Sequence, residues 1–132
     1  MSQENVETLK ALVVAFNRRD SEALEALLAP DVEIVPARAA LEDVVYSGPN
    51  AAAEWFAALD ESWEQIRPEV REYRDAGDRV VGLGRIVGRG RASGADIDVE
   101  AATVAEFREG LVTRMRVYTN LHEALEAAGL SE

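Results

Sequence analysis

The stretch Asp78–Tyr118, DRVVGLGRIVGRGRASGADIDVEAATVAEFREGLVTRMRVY, decides the fold. It holds three β-type runs, Arg79–Arg91, Ile97–Arg108 and Leu111–Tyr118, separated by the turn-forming segments Ala92-Ser93-Gly94-Ala95 and Glu109-Gly110. Short glycine-bearing connections between such runs specify antiparallel hairpins, so the stretch predicts a curved meander of three long strands. Outward from it the chain reads mostly as helix, with one or two short strands. The fold class that follows is α+β: a curved antiparallel sheet with helices laid on one face.

Toward the N-terminus, Ser2 can cap a helix whose apolar stripe is Val6, Leu9, Val13 and Phe16, with Asn17-Arg18-Arg19-Asp20 ending it. Asp20 or Ser21 then caps a short helix carrying Leu24, Leu27 and Leu28, which Pro30 terminates. Asp31–Pro36 alternates weakly and predicts a short strand, and Ala37–Ser47 is a loop whose patch Val44-Val45-Tyr46 forms a small strand or a flap. Gly48-Pro49 starts a third helix with proline at its first position. Its stripe, Ala52, Trp55, Phe56, Leu59 and Trp63, gathers three of the eight aromatic residues on one face. Arg67–Tyr73 begins the sheet. Beyond the meander, Asn120 caps a closing helix with Glu123 at capping-box spacing, and Gly129 ends it.

At 132 residues the chain is one domain, 1–132, with 48% hydrophobic and 30% charged residues. A formal charge of −11 repels phosphate backbones and anionic membranes, so neither nucleic acid nor a membrane is expected as a partner. No apolar run approaches the roughly 20 residues that span a bilayer, and the polar Met1–Asn5 has no secretory pattern. With no cysteine and one histidine, thiol chemistry is excluded, no metal or cofactor is expected, and the cytoplasm is the expected compartment. His122 sits within a capping arrangement and reads as a rim residue.

Alternation assigns faces to the strands. In the first long run, Val80, Gly82, Gly84, Ile86, Gly88 and Gly90 share a nearly bare face, which suggests a sharp bend or something packed very close, a helix or a partner's sheet. The other face sets Arg85 between Leu83 and Val87, a cation that needs a partner if buried; Glu33, Glu100 and Glu106 are the candidates. Glycine spacing here approaches a dinucleotide fingerprint, but each match has one residue too many and neither opens a helix. In the second run, Ala101, Thr103 and Ala105 are small and leave room above the sheet; Met115 lies on the third run. With Phe16, Tyr46, Trp55, Phe56 and Trp63 arriving from helices and flap, that room predicts an apolar pocket for a small organic ligand, with Thr103 and Met115 among its contacts.

The order of elements resembles the cone of the nuclear-transport-factor-2-like (NTF2-like, cystatin-like) fold. The pieces AFNRRDSEALEALLAPDVEI (Ala15–Ile34), YSGPNAAAEWF (Tyr46–Phe56), DAGDRVVGLGRIVGRGR (Asp75–Arg91) and FREGLVTRMRVYTNLHEALEAAGL (Phe107–Leu130) are similar to its SnoaL-like branch, which is related to polyketide cyclases and ketosteroid isomerases. The resemblance implies a pocket between helices and the concave face of the sheet, and a homodimer through the other face. The positions that carry chemistry in ketosteroid isomerases hold Leu12, Pro36 or Val35, and Thr103 here, and the His and Asp positions of SnoaL-like relatives hold Thr103 and Asn120. None of these is a base near neutral pH. Two functions therefore stand open. One is an isomerase, cyclase or hydrolase using Glu33 or Glu100 as base and Arg85 as oxyanion stabiliser, with Tyr46 and Thr103 orienting the ligand. The other is a ligand-binding or dimerisation module without catalysis.

Overall fold

The computed structural model describes residues 2–37 and 44–130. Helix α1 (Ser2–Asn17) buries Leu9, Leu12, Ala15 and Phe16. It stops in a Schellman turn: Arg19 adopts φ 54°, its N–H donates to Phe16 O (3.0 Å), and Asp20 N–H donates to Ala15 O (3.0 Å). Asp20 then caps α2 (Ser21–Glu25), its carboxylate accepting from Ala23 N–H at 3.1 Å. Helix α2 is shorter than the leucine pattern suggests, because Leu28 already opens strand β1 (Leu28–Val35). Pro30 disfavours helix in the residue before it, and β1 absorbs the proline where its register is irregular, between Leu28 and Glu33. Residues 38–43 of the expected loop lie outside the described residues; Tyr46–Ser47 form the two-residue strand β2 against β1.

Helix α3 spans Ala51–Ser62, with Asn50 at its N-cap, so Pro49 lies in the preceding turn and not at the first helical position. Trp63, expected on the helical stripe, instead opens β3 (Trp63–Asp75) with extended φ −124° and ψ 132°, because it pairs with Gly90. The first strand of the sheet is accordingly several residues longer than Arg67–Tyr73. The meander is as expected: β4 (Arg79–Gly90), β5 (Asp96–Arg108) and β6 (Leu111–Tyr118). Glu109 and Gly110 have φ 54° and 82° between β5 and β6, the positive pair that a tight two-residue hairpin turn needs. Asn120 caps α4 (Leu121–Ala127), accepting from Glu123 N–H at 3.0 Å.

The six strands run in the order β2-β1-β6-β5-β4-β3. All neighbours are antiparallel except β1 and β6, which run parallel, so the α+β sheet is mixed and open. Helices α1, α2 and α3 cover one face, here the inner face, over a core that includes Leu9, Leu24, Ile34, Val80, Ala105 and Met115. The closing helix lies on the other side. Its Ala124, Leu125 and Ala128 pack on Val81, Leu83, Ala102 and Val104, positions of β4 and β5 that point away from the inner core.

Candidate functional site

Cross-strand register defines the floor of the inner face. Gly82 stands opposite Thr103, Gly84 opposite Ala101 and Ile86 opposite Val99, and Thr103 in turn faces Val117 on β6. Glycine, alanine and threonine at these positions leave a hollow where larger side chains would fill the sheet's surface. The bare face of β4 is thus the inner one, and what packs close to it is β3. A Cβ on Gly84 would collide with the Glu69 carbonyl oxygen and lie 2.9 Å from Val70 Cα. The β3–β4 register slips between Val70 and Glu72, and this bulge lets β3 curl over its neighbour. No partner subunit is needed to explain the glycines.

Between this floor, α1 and α3 lies a cavity of about 240 Å³. Leu9, Leu12, Val13 and Phe16 contribute from α1, Trp55, Ala58 and Leu59 from α3, Pro36, Ala37 and Tyr46 from β1 and its surroundings, and Trp63, Ile66, Pro68 and Val70 from β3. Ile86, Val99, Thr103, Met115 and Val117 complete it from the meander. Six of the seven residues expected to touch a ligand, Phe16, Tyr46, Trp55, Trp63, Thr103 and Met115, are on the wall. The seventh, Phe56, stands behind it, its ring 5.5 Å from Phe16 in an edge contact and 6.3 Å from Trp55. Phe16 and Trp55 are tilted by 50° at 4.8 Å, an arrangement that aromatic quadrupoles favour.

The expected acid–base residues are elsewhere. Arg85 borders the cavity through its place on β4, but its guanidinium pairs with Asp98 at 3.2 Å and its side chain is 53% exposed. Glu100, opposite Arg85 in the register, is exposed on the same outer side. Glu33 is exposed and pairs with Arg114 at 3.6 Å, which also reaches Glu106 at 3.7 Å. The structure therefore places Glu33, Arg85 and Glu100 on the outer face and does not converge them on the cavity. The reason is parity: Ile34 and Met115 point inward, so Glu33 and Arg114 beside them point out. The apolar neighbours that made Arg85 look buried divide between two environments, Leu83 lying under α4 while Val87 is only half-buried.

Among the described residues no carboxylate or imidazole lines the cavity, and no cluster of three or more potential ligands could hold a metal ion. Its polar equipment is the hydroxyls of Tyr46, Ser62, Thr103 and Thr119, with Arg85 at the border paired to Asp98. One indole is unusual. Trp55 is 6% exposed and its Nε1 is fully buried without a hydrogen-bond partner. An unmade buried donor costs about 1–3 kcal/mol, and buried tryptophans ordinarily find an acceptor.

Sequence reading missed Arg19. Its Nη1 donates to Phe16 O and its Nη2 to Ile66 O, each at 2.8 Å, while the guanidinium stacks 4.5 Å from the Phe16 ring and 5.5 Å from Phe56. Burial lowers its pKa below the ordinary guanidinium value and the Asp60 charge pulls the other way. One cation thus ties the end of α1 to β3 and backs the aromatic wall. The only signal was a basic residue at a helix end, which is too common to single out. His122 is exposed beside Glu126 at 3.5 Å on α4, remote from the cavity lining.

This architecture is that of the NTF2-like class. The chain matches the SnoaL-like domain over residues 9–115 and belongs to that family. Solved structures agree on the fold: an NTF2-like protein of unknown function from Burkholderia pseudomallei K96243 superimposes with TM-score 0.79 at 21% identity, over 93% of this chain and 95% of that one. TerC, co-crystallised with polyporic acid, gives 0.78 at 26% identity over 93% and 98%. A candidate SnoaL-like polyketide cyclase from Jannaschia sp. CCS1 gives 0.77 at 22% identity over 99% and 95%. No curated protein sequence matches the chain. No described helix is long and apolar enough to cross a membrane.

Proposed function

We propose that this protein binds a small, flat, mainly apolar cyclic molecule in the cavity between α1, α3 and the inner face of the sheet, and does so without acid–base catalysis. The observation that carries the reading is the chemistry of the wall: apolar and aromatic side chains with a few hydroxyls, no carboxylate or imidazole among the described lining residues, and Arg85 at the border paired outward with Asp98. Such a wall desolvates and orients a ligand and has nothing to take or give a proton near neutral pH. Phe16, Trp55, Trp63 and Met115 are its apolar contacts, Tyr46 and Thr103 its orienting hydroxyls, and Phe56 supports them from behind. TerC, at 26% identity, was co-crystallised with polyporic acid, which supports occupancy by a small organic molecule. A proton-transfer enzyme working through Glu33, Arg85 or Glu100 would need these side chains to leave their outer-face positions. The compartment we propose is the cytoplasm, where a chain without cysteine is at no disadvantage. A homodimer through the outer face outside α4 would meet the Arg85–Asp98 and Arg89–Asp96 pairs there.

Both tryptophans of the chain, Trp55 and Trp63, line the cavity, so their fluorescence reports on it directly. Titration with bicyclic and tricyclic aromatic and alicyclic compounds should give saturable quenching by at least one of them. Ala101→Leu, which places three further carbons on the floor, should weaken that ligand tenfold or more with the fold intact by circular dichroism. Saturable binding that survives Ala101→Leu unchanged would remove this cavity as the site.

A further inference from the structure

An open sheet has two edges, and each presents a row of backbone donors and acceptors to which another strand can add. At one edge β2 is only two residues long. At the other, β3 runs for 13 residues, enough to take a full strand. The acceptors of this long edge are occupied by side chains. Ile66 and Pro68 share one parity in the β3–β4 register, and their carbonyls turn to the end of α1: Arg19 Nη2 donates to Ile66 O at 2.8 Å, and Asn17 Nδ2 to Pro68 O at a longer 3.4 Å. Proline has no N–H, so position 68 offers an incoming strand no donor either. Arg91, just beyond β4, takes Trp63 O, the first carbonyl of the strand, at 3.0 Å through Nη2.

We propose that Arg19, with Asn17 and Pro68, bars strand addition at β3, and that the occupant kept out is β3 of a second copy of this chain. Every copy presents the same edge, which is what a two-fold antiparallel pair of strands requires. Charge favours this occupant: β3 carries three arginines against four carboxylates, nearly neutral in a chain of net charge −11, so two copies would repel each other little along it. Hydrophobicity is not the obstacle, and neither is strand length. What stands in the way is that an incoming N–H must displace a charge-assisted bond from Arg19 to reach Ile66 O and finds no donor to match it at Pro68. Ile66 and Pro68 also line the cavity, so the contacts that bar the edge fix that part of the wall as well.

The test compares the full-length wild type with Arg19→Leu, Pro68→Val and the double variant by sedimentation velocity over a wide concentration series, with circular dichroism to check that each is folded. Whatever state the wild type adopts, the double variant should approach about twice its mass at the highest concentration, and each single variant should associate measurably more than the wild type. On association, amide hydrogen exchange should slow about tenfold within residues 64–74 and not on the rest of the sheet. Leu24→Ala is the control for lost stability: it hollows the core beneath α2, leaves the edge untouched, and should keep the wild-type mass. Pro68→Val retains both bonds of Arg19, so it reads the edge even where Arg19→Leu fails to fold. Variants that keep the wild-type mass throughout, association that protects strands other than β3, or equal association of Leu24→Ala would each overturn the proposal.

Discussion

The two faces of the same strands are opposites. Along β4 the inner face presents Gly82, Gly84 and Ile86 to the cavity, while the outer face one residue away presents Leu83 to α4 and Arg85 to solvent. Outside α4, cations of the outer face meet carboxylates on neighbouring strands: Arg85 with Asp98, Arg89 with Asp96 at 2.9 Å, and Arg114 between Glu33 and Glu106. Exposed pairs of this kind are worth about 0–1 kcal/mol each. They set their carboxylates on the outer side, opposite the largely apolar wall of the cavity. These ion pairs and the cavity are separated by the thickness of one sheet.

The contrast breaks most severely at Gly84. Alanine there would drive its Cβ into the Glu69 carbonyl, and backbone has no rotamer through which to yield, so Gly84→Ala should cost about 3 kcal/mol in urea denaturation. Gly82→Ala is the control on the same face two residues away. Its Cβ would meet Val70 Cγ1 at 3.4 Å and Tyr73 Cε1 at 3.6 Å, ordinary contacts, and its cost should stay within about 1 kcal/mol. Equal costs at the two positions would mean that β3 does not curl over β4 as described. Next in size is Arg19. Removing two charge-assisted bonds to backbone carbonyls by Arg19→Leu should cost about 2 kcal/mol and weaken any cavity ligand, since Phe16 loses its support. Lys at this position should recover only part of the loss, because it cannot reproduce the planar fork that bridges Phe16 O and Ile66 O.

Much of this was legible in the chain and some was not, for identifiable reasons. The meander from Arg79 to Tyr118, the caps Asp20 and Asn120 and the small inward residues Ala101 and Thr103 follow from turn chemistry and period-two alternation, which are local. What local patterns do not carry is how the parity of one strand joins that of the next. Gly84 opposite Ala101 puts the glycine face and the alanine face on one side, and so turns Arg85 outward. Leu83 obscured this because a second layer, α4, buries the outer face at one end; an apolar neighbour marks burial without saying on which side. Trp63 failed similarly. Its four-residue spacing from Leu59 fits a helix, and the pairing with Gly90 overrides that fit. Arg19 was invisible because its long-range acceptor, Ile66 O, lies on β3, 47 residues away.

A smaller effect is expected on the outer face, where Glu33→Ala, Arg85→Ala and Glu100→Ala should each change stability by less than about 0.5 kcal/mol and leave the affinity for a cavity ligand unaltered. Fluorescence titration of the three variants beside the wild type reads both quantities. A loss of ligand affinity in any of them, with stability retained, would mean that charge does reach the cavity and would restore the acid–base reading.

The subtlest difference between the faces concerns Tyr73. It is half-buried on the inner side of β3, close to Gly82 and to Leu9 of α1, and burial raises its phenol above the ordinary value of 10.0. Lys10 stands 5.5 Å from the ring centroid, and desolvation sets the direction of the shift. A raised folded-state pKa means that the neutral phenol is the form the fold prefers. Its contribution to stability is then complete below pH 10, the unfolded value, and is lost as pH climbs through the higher folded value. Stability of the wild type should fall above pH 10 more steeply than that of Tyr73→Phe, the two curves running parallel well below pH 10. Phenolate absorbance near 295 nm reads this group directly. The wild type minus Tyr73→Phe difference should rise later than a free tyrosine. A rise at or before the free-tyrosine curve would place that ring in water, on the same footing as the outer face.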